Sequence, residues 1–146
     1  MASSSGEKLD WCGCGRPPRI VVLGAPDKLN VSSAWKRLRP TIQSHAELIA
    51  ADFEFTYDFT DKEIDLVIVI GGDGSILQSA RQMGENQTPV LGINCGRLGF
   101  LAALSPEDFL DAWPKVCQGD FSIIRHLMLE VQLIRDDEVI AQSMAL

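Results

Sequence analysis

The residues best suited to chemistry form one short run, Gly71-Gly72-Asp73-Gly74, in which three glycines surround a carboxylate. Glycine has no Cβ atom, so the backbone can adopt positive φ there and can approach a ligand closely. The N–H groups of such a turn and of a following helix form a phosphate site. Asp73 would repel phosphates unless it binds a metal or accepts a proton. The run therefore indicates deprotonation of a hydroxyl or the holding of a metal–nucleotide complex, with a plain turn capped by Asp73 as the alternative.

Two regular elements must position this turn. Residues 66–70 are an unbroken apolar run rich in Val and Ile, which predicts a strand buried on both faces, as in a parallel sheet. Residues 75–83 predict a helix that ends near Gly84. Residues 19–24 and 89–94 have the same apolar character and predict two further buried strands. This order of elements indicates an α/β fold with an open parallel sheet.

The pattern between the first and central strands is less regular. Ser32 or Ser33 is predicted to cap a helix that Pro40 interrupts. Residues 45–51 are predicted to continue that helix or to form a second, short one. Residues 53–57 alternate apolar and polar side chains, which predicts a half-exposed edge strand.

The C-terminal part of the chain changes character. Ser105, followed by Pro106 and two acidic residues, predicts a helix start with serine at the N-cap. Phe109 and Trp113 are spaced i, i+4 and are predicted to face the core. Residues 121–146 predict a β-hairpin. Because a lone hairpin is unstable, we expect it to begin a second, β-rich domain.

Composition narrows the classes of function. The chain has 146 residues, 46% of them hydrophobic and 23% charged, which is typical of one soluble globular domain. The net charge of −7 argues against a nucleic-acid or anionic-membrane partner, although backbone N–H groups can still bind a nucleotide. No apolar stretch is long enough to span a bilayer. Residues 1–18 are small and polar, so we expect a disordered leader and a cytoplasmic location.

The cysteines do not form a metal-ligand pattern. Cys12 and Cys14 are too close in sequence for a zinc-knuckle pair, and no second pair matches them. His45 and His126 lie far away in sequence. We therefore expect reduced thiols and no metal site built from protein ligands.

Three stretches together resemble the NAD kinase family, in the same order and with roughly the same spacing. They are residues 71–75, residues 91–101 and residues 125–130. The first is shared with lipid kinases and 6-phosphofructokinases. The second, with its three glycines and Phe100, is far more specific. The resemblance covers about residues 19–146.

The resemblance implies a fold in two parts. Residues 19–120 would form a Rossmann-like α/β nucleotide-binding domain that carries the glycine turn. Residues 121–146 would be the first hairpin of an incomplete C-terminal β-rich domain, which in the family completes the NAD site.

The resemblance also implies a reaction. The γ-phosphoryl group of ATP would pass to the 2′-hydroxyl of the adenosine ribose of NAD, giving NADP. Asp73 would act as general base on that hydroxyl, and Mg²⁺ or another divalent cation is expected with ATP. NAD would be the substrate, and the full-length protein is expected to be a homo-oligomer. The residues expected to bind the nucleotides are Gly71, Gly72, Asp73, Gly74, Asn94 and Phe100.

Several of these positions have alternatives or depart from the family. Phe100 would lie against the dinucleotide near its adenine, or else belong to the core. Asn94 would face the cleft, or else serve only the turn at the strand end. Arg97 would meet phosphate or be solvated. Gln78 stands where many members have a basic residue, and Arg81, one helical turn on, is the candidate substitute.

The family's Asn-acidic motif, which grips the dinucleotide, would follow almost directly after Leu146. We therefore expect this chain alone to be inactive or very weak, and its full-length parent to be an NAD kinase. The alternatives are a 6-phosphofructokinase-like or lipid kinase and a non-catalytic nucleotide-binding remnant. The choices between ATP and polyphosphate, and between NAD and NADH, are open.

Overall fold

The computed structural model describes residues 11, 14–25, 29–97, 99–102 and 104–145. Its main unit is a four-stranded parallel sheet flanked by three helices, and a two-stranded antiparallel hairpin follows. The elements in chain order are β1 (Arg19–Gly24), α1 (Leu29–His45), β2 (Glu47–Asp52), β3 (Leu66–Gly71), α2 (Asp73–Met83), β4 (Val90–Asn94), α3 (Pro106–Cys117), β5 (Leu129–Arg135) and β6 (Glu138–Ala145). The predicted α/β class, with a hairpin at its end, is confirmed.

The strand order is β2-β1-β3-β4. The chain therefore leaves β1 toward one edge of the sheet and leaves β3 toward the other. The neighbouring carboxyl ends of β1 and β3 form a topological switch point, where ligands bind in open α/β sheets. The register pairs Gly24 of β1 with Ile70 of β3, and Gly71 of β3 with Asn94 of β4.

Strands β1 and β3 are buried because helices cover both faces of the sheet. The third apolar run forms β4 at the edge of the sheet, where only Gly92 and Ile93 are buried, so the prediction of full burial is wrong there. Alternate side chains of β1 and β3 point to opposite faces and enter two separate clusters. The first cluster joins them to α1 and α3 through Ile20, Val22, Ile68, Ile70, Leu38, Ile42, Phe109 and Trp113. The second joins them to α2 through Val21, Leu23, Val67, Val69, Ile76 and Met83.

Helix α1 differs from the sequence prediction at its start and at Pro40 in its interior. It begins at Leu29, so Ser32 and Ser33 lie inside it and neither is its cap. It also continues through Pro40, since Leu38 and Ile42 on either side of the proline are fully buried and packing holds the helix together.

The second strand also differs from the prediction. Residues 47–52 are strand β2 and not helix, because the free edge of β1 offers them a parallel partner. Residues 53–57 are not a strand. The Asp52 carboxylate accepts hydrogen bonds from the N–H groups of Glu54, Thr56 and Tyr57 at 2.9, 2.7 and 2.7 Å. These bonds curl the chain and compete with strand pairing.

The start of α3 is confirmed. Ser105 is the N-cap, Pro106 opens the helix, and Ser105 and Asp108 form a reciprocal capping box. Phe109 and Trp113 are fully buried, and their rings stack at 5.2 Å. An ion pair between Arg37 and Glu107 joins α3 to α1.

Part of the segment expected to be a disordered leader is packed on the domain. Trp11 is only 2% exposed, and its ring stacks on Phe121 at 5.5 Å. Arg16 forms a two-pronged ion pair with Asp65, at 2.6 and 3.0 Å. Residues 1–10 and Cys12 lie outside the described part of the chain.

The predicted hairpin is confirmed as β5 and β6. Its turn residues, Asp136 and Asp137, both have positive φ, 51° and 63°, which suits a tight two-residue turn. Nearly all of its side chains are exposed. One bond to the main unit runs from Nε of Arg81 to the carbonyl of Met144, at 2.9 Å. Within the described residues, every helix is too short or too polar to cross a membrane.

Candidate functional site

The glycine turn joins β3 directly to α2. Gly71 is the last residue of β3, Gly72 is the N-cap of α2, and the helix begins at Asp73, two residues earlier than predicted. None of Gly71, Gly72 and Gly74 has positive φ, so this turn does not use the left-handed conformation that glycine permits. Gly71 is needed for space, because a Cβ atom there would lie 2.4 Å from Oγ of Ser75.

The Asp73 carboxylate is held by a second loop. Its Oδ2 accepts from the N–H of Phe100 at 2.8 Å, and its Oδ1 accepts from the N–H of Leu101 at 2.9 Å and of Ala102 at 3.4 Å. Asp73 therefore does not cap its own helix, and that alternative is wrong. The bond from Phe100, followed by that from Leu101, lowers the pKa of the Asp73 carboxyl below its ordinary value.

Gly99 leaves the space in which the Asp73 carboxylate approaches residues 100–102, and this role was not predicted from the sequence. A Cβ atom on Gly99 would lie 2.3 Å from Oδ1 of Asp73, far inside van der Waals contact. The signal was present, since Gly99 is one of the three glycines in residues 91–101. That Gly99 lies against Asp73 could not be inferred, because the two residues are more than 25 positions apart in the sequence.

Phe100 is fully exposed, at 101% relative accessibility. The alternative that it belongs to the core is therefore wrong. Its main-chain N–H donates to the Asp73 carboxylate, and its ring lies on the surface. Contact between this ring and a nucleotide stays a prediction.

Asn94 ends β4 and organises the loop that follows. Its Nδ2 donates to the carbonyl of Arg97, and its Oδ1 accepts from the N–H of Gly96, both at 2.8 Å. The side chain thus serves the turn at the strand end, as the alternative held. It also lines the cleft described next, and a role in ligand binding stays a prediction.

A cleft of about 500 Å³ lies at the carboxyl ends of the strands. It combines the start of α1, the glycine turn and the loop after β4, and its lining residues are Leu29, Asn30, Val31, Gly71, Gly72, Asn94, Cys95, Gly96 and Arg97. Nδ2 of Asn30 donates to the carbonyl of Cys95 at 3.3 Å and ties two of these walls together. The α1 and Cys95 contributions were not predicted, although the switch-point rule places a ligand crevice here.

The structure thus divides the predicted site residues into two neighbouring groups. Gly71, Gly72 and Asn94 line the cleft, whereas Asp73, Gly74 and Phe100 do not. Gly72 lies in the cleft wall directly before Asp73, so the two groups meet at the N-terminus of α2. Arg97 is an exposed residue of the cleft, whereas Arg81 donates to Met144 of the hairpin.

A divalent cation has no dedicated cage in the described part of the chain, where no three His, Cys, Asp or Glu residues are grouped to hold one. Magnesium in nucleotide sites is bound mainly by substrate phosphates, water and one or two carboxylates. Asp73 is the carboxylate at the glycine turn, and three N–H groups already occupy much of its acceptor capacity.

The fold and the position of the cleft define a doubly wound α/β domain with its crevice at a switch point. Comparison with protein families matches residues 22–121 to the ATP-NAD kinase N-terminal domain. The chain belongs to this family. The alternatives of a 6-phosphofructokinase-like kinase and of a lipid kinase are therefore set aside.

Curated relatives agree with this assignment. An NAD kinase of Rhodopirellula baltica is 99% identical over 146 residues, which are 100% of this chain and 47% of that protein. An NAD kinase of Acinetobacter baylyi is 45% identical and is aligned over 87% of this chain and 45% of its own length. The chain thus spans about half the length of the curated relatives it matches.

A solved structure shares the fold. The crystal structure of yeast NADH kinase complexed with NADH superposes with a TM-score of 0.69, over 90% of this chain and 47% of that one. The sequences are 20% identical, so this likeness supports the fold alone.

Proposed function

We propose that this chain is the N-terminal part of an NAD kinase, which transfers the γ-phosphoryl group of ATP to the 2′-hydroxyl of the adenosine ribose of NAD. The observation that carries the proposal is the carboxylate of Asp73, held at the N-terminus of α2 beside the switch-point cleft. The family match and the printed names of the relatives support the choice of reaction.

Asp73 orients the hydroxyl. A carboxylate has about four acceptor positions, and three N–H groups use three of them. Oδ2 accepts from Phe100 alone and keeps one position, to which the 2′-hydroxyl of NAD donates. This bond aims the hydroxyl oxygen at the γ-phosphorus, and such positioning is the main requirement of phosphoryl transfer.

The proposed reaction is one direct displacement at the γ-phosphorus of ATP. The ribose oxygen forms a bond to the γ-phosphorus, the bond between that phosphorus and the β–γ bridging oxygen breaks, and ADP leaves. The hydroxyl proton passes to Asp73 and then to water. Because its hydrogen bonds lower the pKa of Asp73, the carboxylate is a weak base. A weak base is sufficient when the transition state is loose, because the hydroxyl proton is then transferred late in the reaction.

Backbone groups hold the phosphates. Gly72 caps α2 without a side-chain hydrogen bond, and the N–H of Ser75 already donates to the carbonyl of Gly72. The first two N–H groups of the helix, those of Asp73 and Gly74, are the ones that would bind an anion. Gly72 has no atom within 4 Å of the place of a Cβ, which leaves room for close approach. The divalent cation is carried by the ATP phosphates, where it neutralises their charge, and Phe100 stacks on the adenine of NAD.

The remaining assignments belong to the same proposal. Residues 19–120 form the nucleotide-binding domain, and residues 121–146 begin a β-rich domain. The protein acts in the cytoplasm as a homo-oligomer when full length, with NAD and ATP as ligands and no nucleic-acid or membrane partner. The 146-residue chain alone turns over weakly or not at all, since it spans about half of its relatives.

The test is a coupled assay of NADP formation with ATP and Mg²⁺. It compares the full-length Rhodopirellula baltica relative, its Asp→Asn variant at the position aligned with Asp73, and the 146-residue chain. We expect activity in the full-length protein, a loss of about 10² or more in the variant, and none in the short chain. Equal rates with and without the carboxylate would remove Asp73 from the reaction. An inactive full-length protein would favour a nucleotide-binding role.

A further inference from the structure

Residues 99–102 form a loop that holds the Asp73 carboxylate, and we call this loop the carboxylate clamp. Its three consecutive N–H groups, from Phe100, Leu101 and Ala102, all donate to Asp73. Both carboxylate oxygens are used, so the direction of the carboxylate plane as well as its position is determined. A carboxylate bound by a single N–H would keep its rotation.

The far end of the clamp is anchored in the core. Ala102 is 1% exposed and packs where Gly92 of β4 leaves room, since a Cβ on Gly92 would lie 3.0 Å from Cα of Ala102. Leu104, two residues on, accepts a 2.7 Å bond from the N–H of Asn94. The clamp is therefore fastened to β4 and cannot easily withdraw from Asp73.

Gly99 faces the carboxylate at the near end of the clamp. A Cβ there would lie 2.3 Å from Oδ1, 2.6 Å from Cγ and 2.7 Å from Oδ2 of Asp73. Rotation of the carboxylate does not relieve this clash, because Cγ itself is inside the contact distance. The φ of Gly99 is outside the left-handed region, so a left-handed backbone is not the reason for glycine at this position. The three heavy atoms nearest to that Cβ all belong to Asp73, so the Asp73 side chain is what a larger residue at position 99 would meet first.

We propose that Gly99 is a positioning residue: its missing side chain lets the clamp hold Asp73 with one acceptor position of Oδ2 directed at a substrate hydroxyl. The inference rests on the proposed function in one respect, that Asp73 receives such a hydroxyl. A methyl group at position 99 would push the carboxylate off the three N–H groups. The substrate hydroxyl would then meet a carboxylate in the wrong place.

The first test measures the pKa of Asp73 and does not require enzymatic activity. Asp73 is labelled with ¹³C in the 146-residue chain, and its carboxyl resonance is titrated in wild type, Gly99→Ala and Gly96→Ala. We expect the pKa of Asp73 to rise toward its ordinary value in Gly99→Ala and to stay low in Gly96→Ala. The Gly96 variant is a matched control, because a Cβ there has no atom within 4 Å. An unchanged titration in Gly99→Ala would overturn the inference.

A double-mutant cycle keeps the inference testable if Gly99→Ala folds poorly. We expect Gly99→Ala to lower the urea midpoint in wild type and to leave it unchanged in an Asp73→Ala background, since the clash has then been removed. An equal loss in both backgrounds, including failure to fold in both, would show that Gly99 is needed for another reason.

The second test uses the full-length Rhodopirellula baltica relative. Gly→Ala at the aligned position should lower kcat for NADP formation by about tenfold or more, with a smaller change in KM for ATP. If wild-type protein makes no NADP, the proposed function fails while the titration still decides the role of Gly99. If wild type is active and the variant equals it, Gly99 does not position the reacting carboxylate.

Discussion

The N–H of Phe100 donates a 2.8 Å hydrogen bond to Oδ2 of Asp73, although 27 residues separate them in sequence. The same residue exposes its whole ring. Phe100 is thus attached to the carboxylate through its main chain and offers its side chain to a ligand. One residue links the group proposed to orient a hydroxyl with the surface proposed to hold an adenine.

The first prediction concerns acid stability. The N–H of Phe100, and after it that of Leu101, lowers the pKa of Asp73 in the folded protein. A lowered carboxyl pKa contributes stability that is fully present above the unfolded value of about 3.9. It is lost as pH falls through the folded value. Urea unfolding from pH 6 to pH 2 should therefore show a steeper acid loss in wild type than in Asp73→Asn. Parallel curves would mean that the three N–H bonds do not favour the ionised form.

The second prediction separates the two roles of Phe100. Phe100→Ala should change the free energy of unfolding by less than about 0.5 kcal/mol, because the ring is exposed. In the full-length Rhodopirellula baltica relative, the aligned substitution should weaken NAD binding by about 1–3 kcal/mol, the usual range for a base stacked on an aromatic ring. Calorimetric titration with NAD measures this loss. Phe100→Tyr is the conservative control and should bind normally. Unchanged binding in the alanine variant would remove Phe100 from the site.

The third prediction concerns Trp11, a buried residue whose ring stacks on that of Phe121. Trp11→Ala should destabilise the chain by about 3–5 kcal/mol, the cost of truncating a buried aromatic side chain. Trp11→Phe should cost much less, because it keeps the ring stacking and removes an indole N–H that is buried without a partner. Chemical denaturation followed by circular dichroism measures both. A negligible loss in Trp11→Ala would show that this segment does not pack on the domain in solution.

The fourth prediction concerns the loop after β2. Asp52→Ala removes the acceptor of three main-chain N–H groups and of Nε2 of Gln82, which should destabilise the protein by about 1.5–3 kcal/mol. Asp58→Ala is the matched control in the same loop. Its carboxylate accepts a bond from the N–H of Thr60 and is exposed, so a smaller loss is expected. Equal losses in the two variants would contradict the special role of Asp52.

The parts of the fold that follow local rules were predictable. The positions of strands β1, β3 and β4 follow from continuous apolar runs, and α3 follows from Ser105 and Pro106 at its start. The hairpin follows from alternation around an acidic turn. Strand β2 was misplaced, because its residues, Glu47–Asp52, have no strong strand pattern and become a strand only beside the open edge of β1.

The candidate site also has features that follow from the local sequence and features that depend on distant parts of the chain. The sequence by itself determined the glycine turn, the carboxylate within it and the strand and helix on either side, because these depend on neighbouring residues. Only the tertiary structure decided what the carboxylate touches. The N–H groups of the clamp, the space left at Gly99 and the cleft wall formed by α1 come from distant parts of the chain. The packing of Ala102 against β4 and the crossing of the chain at the switch point bring them together.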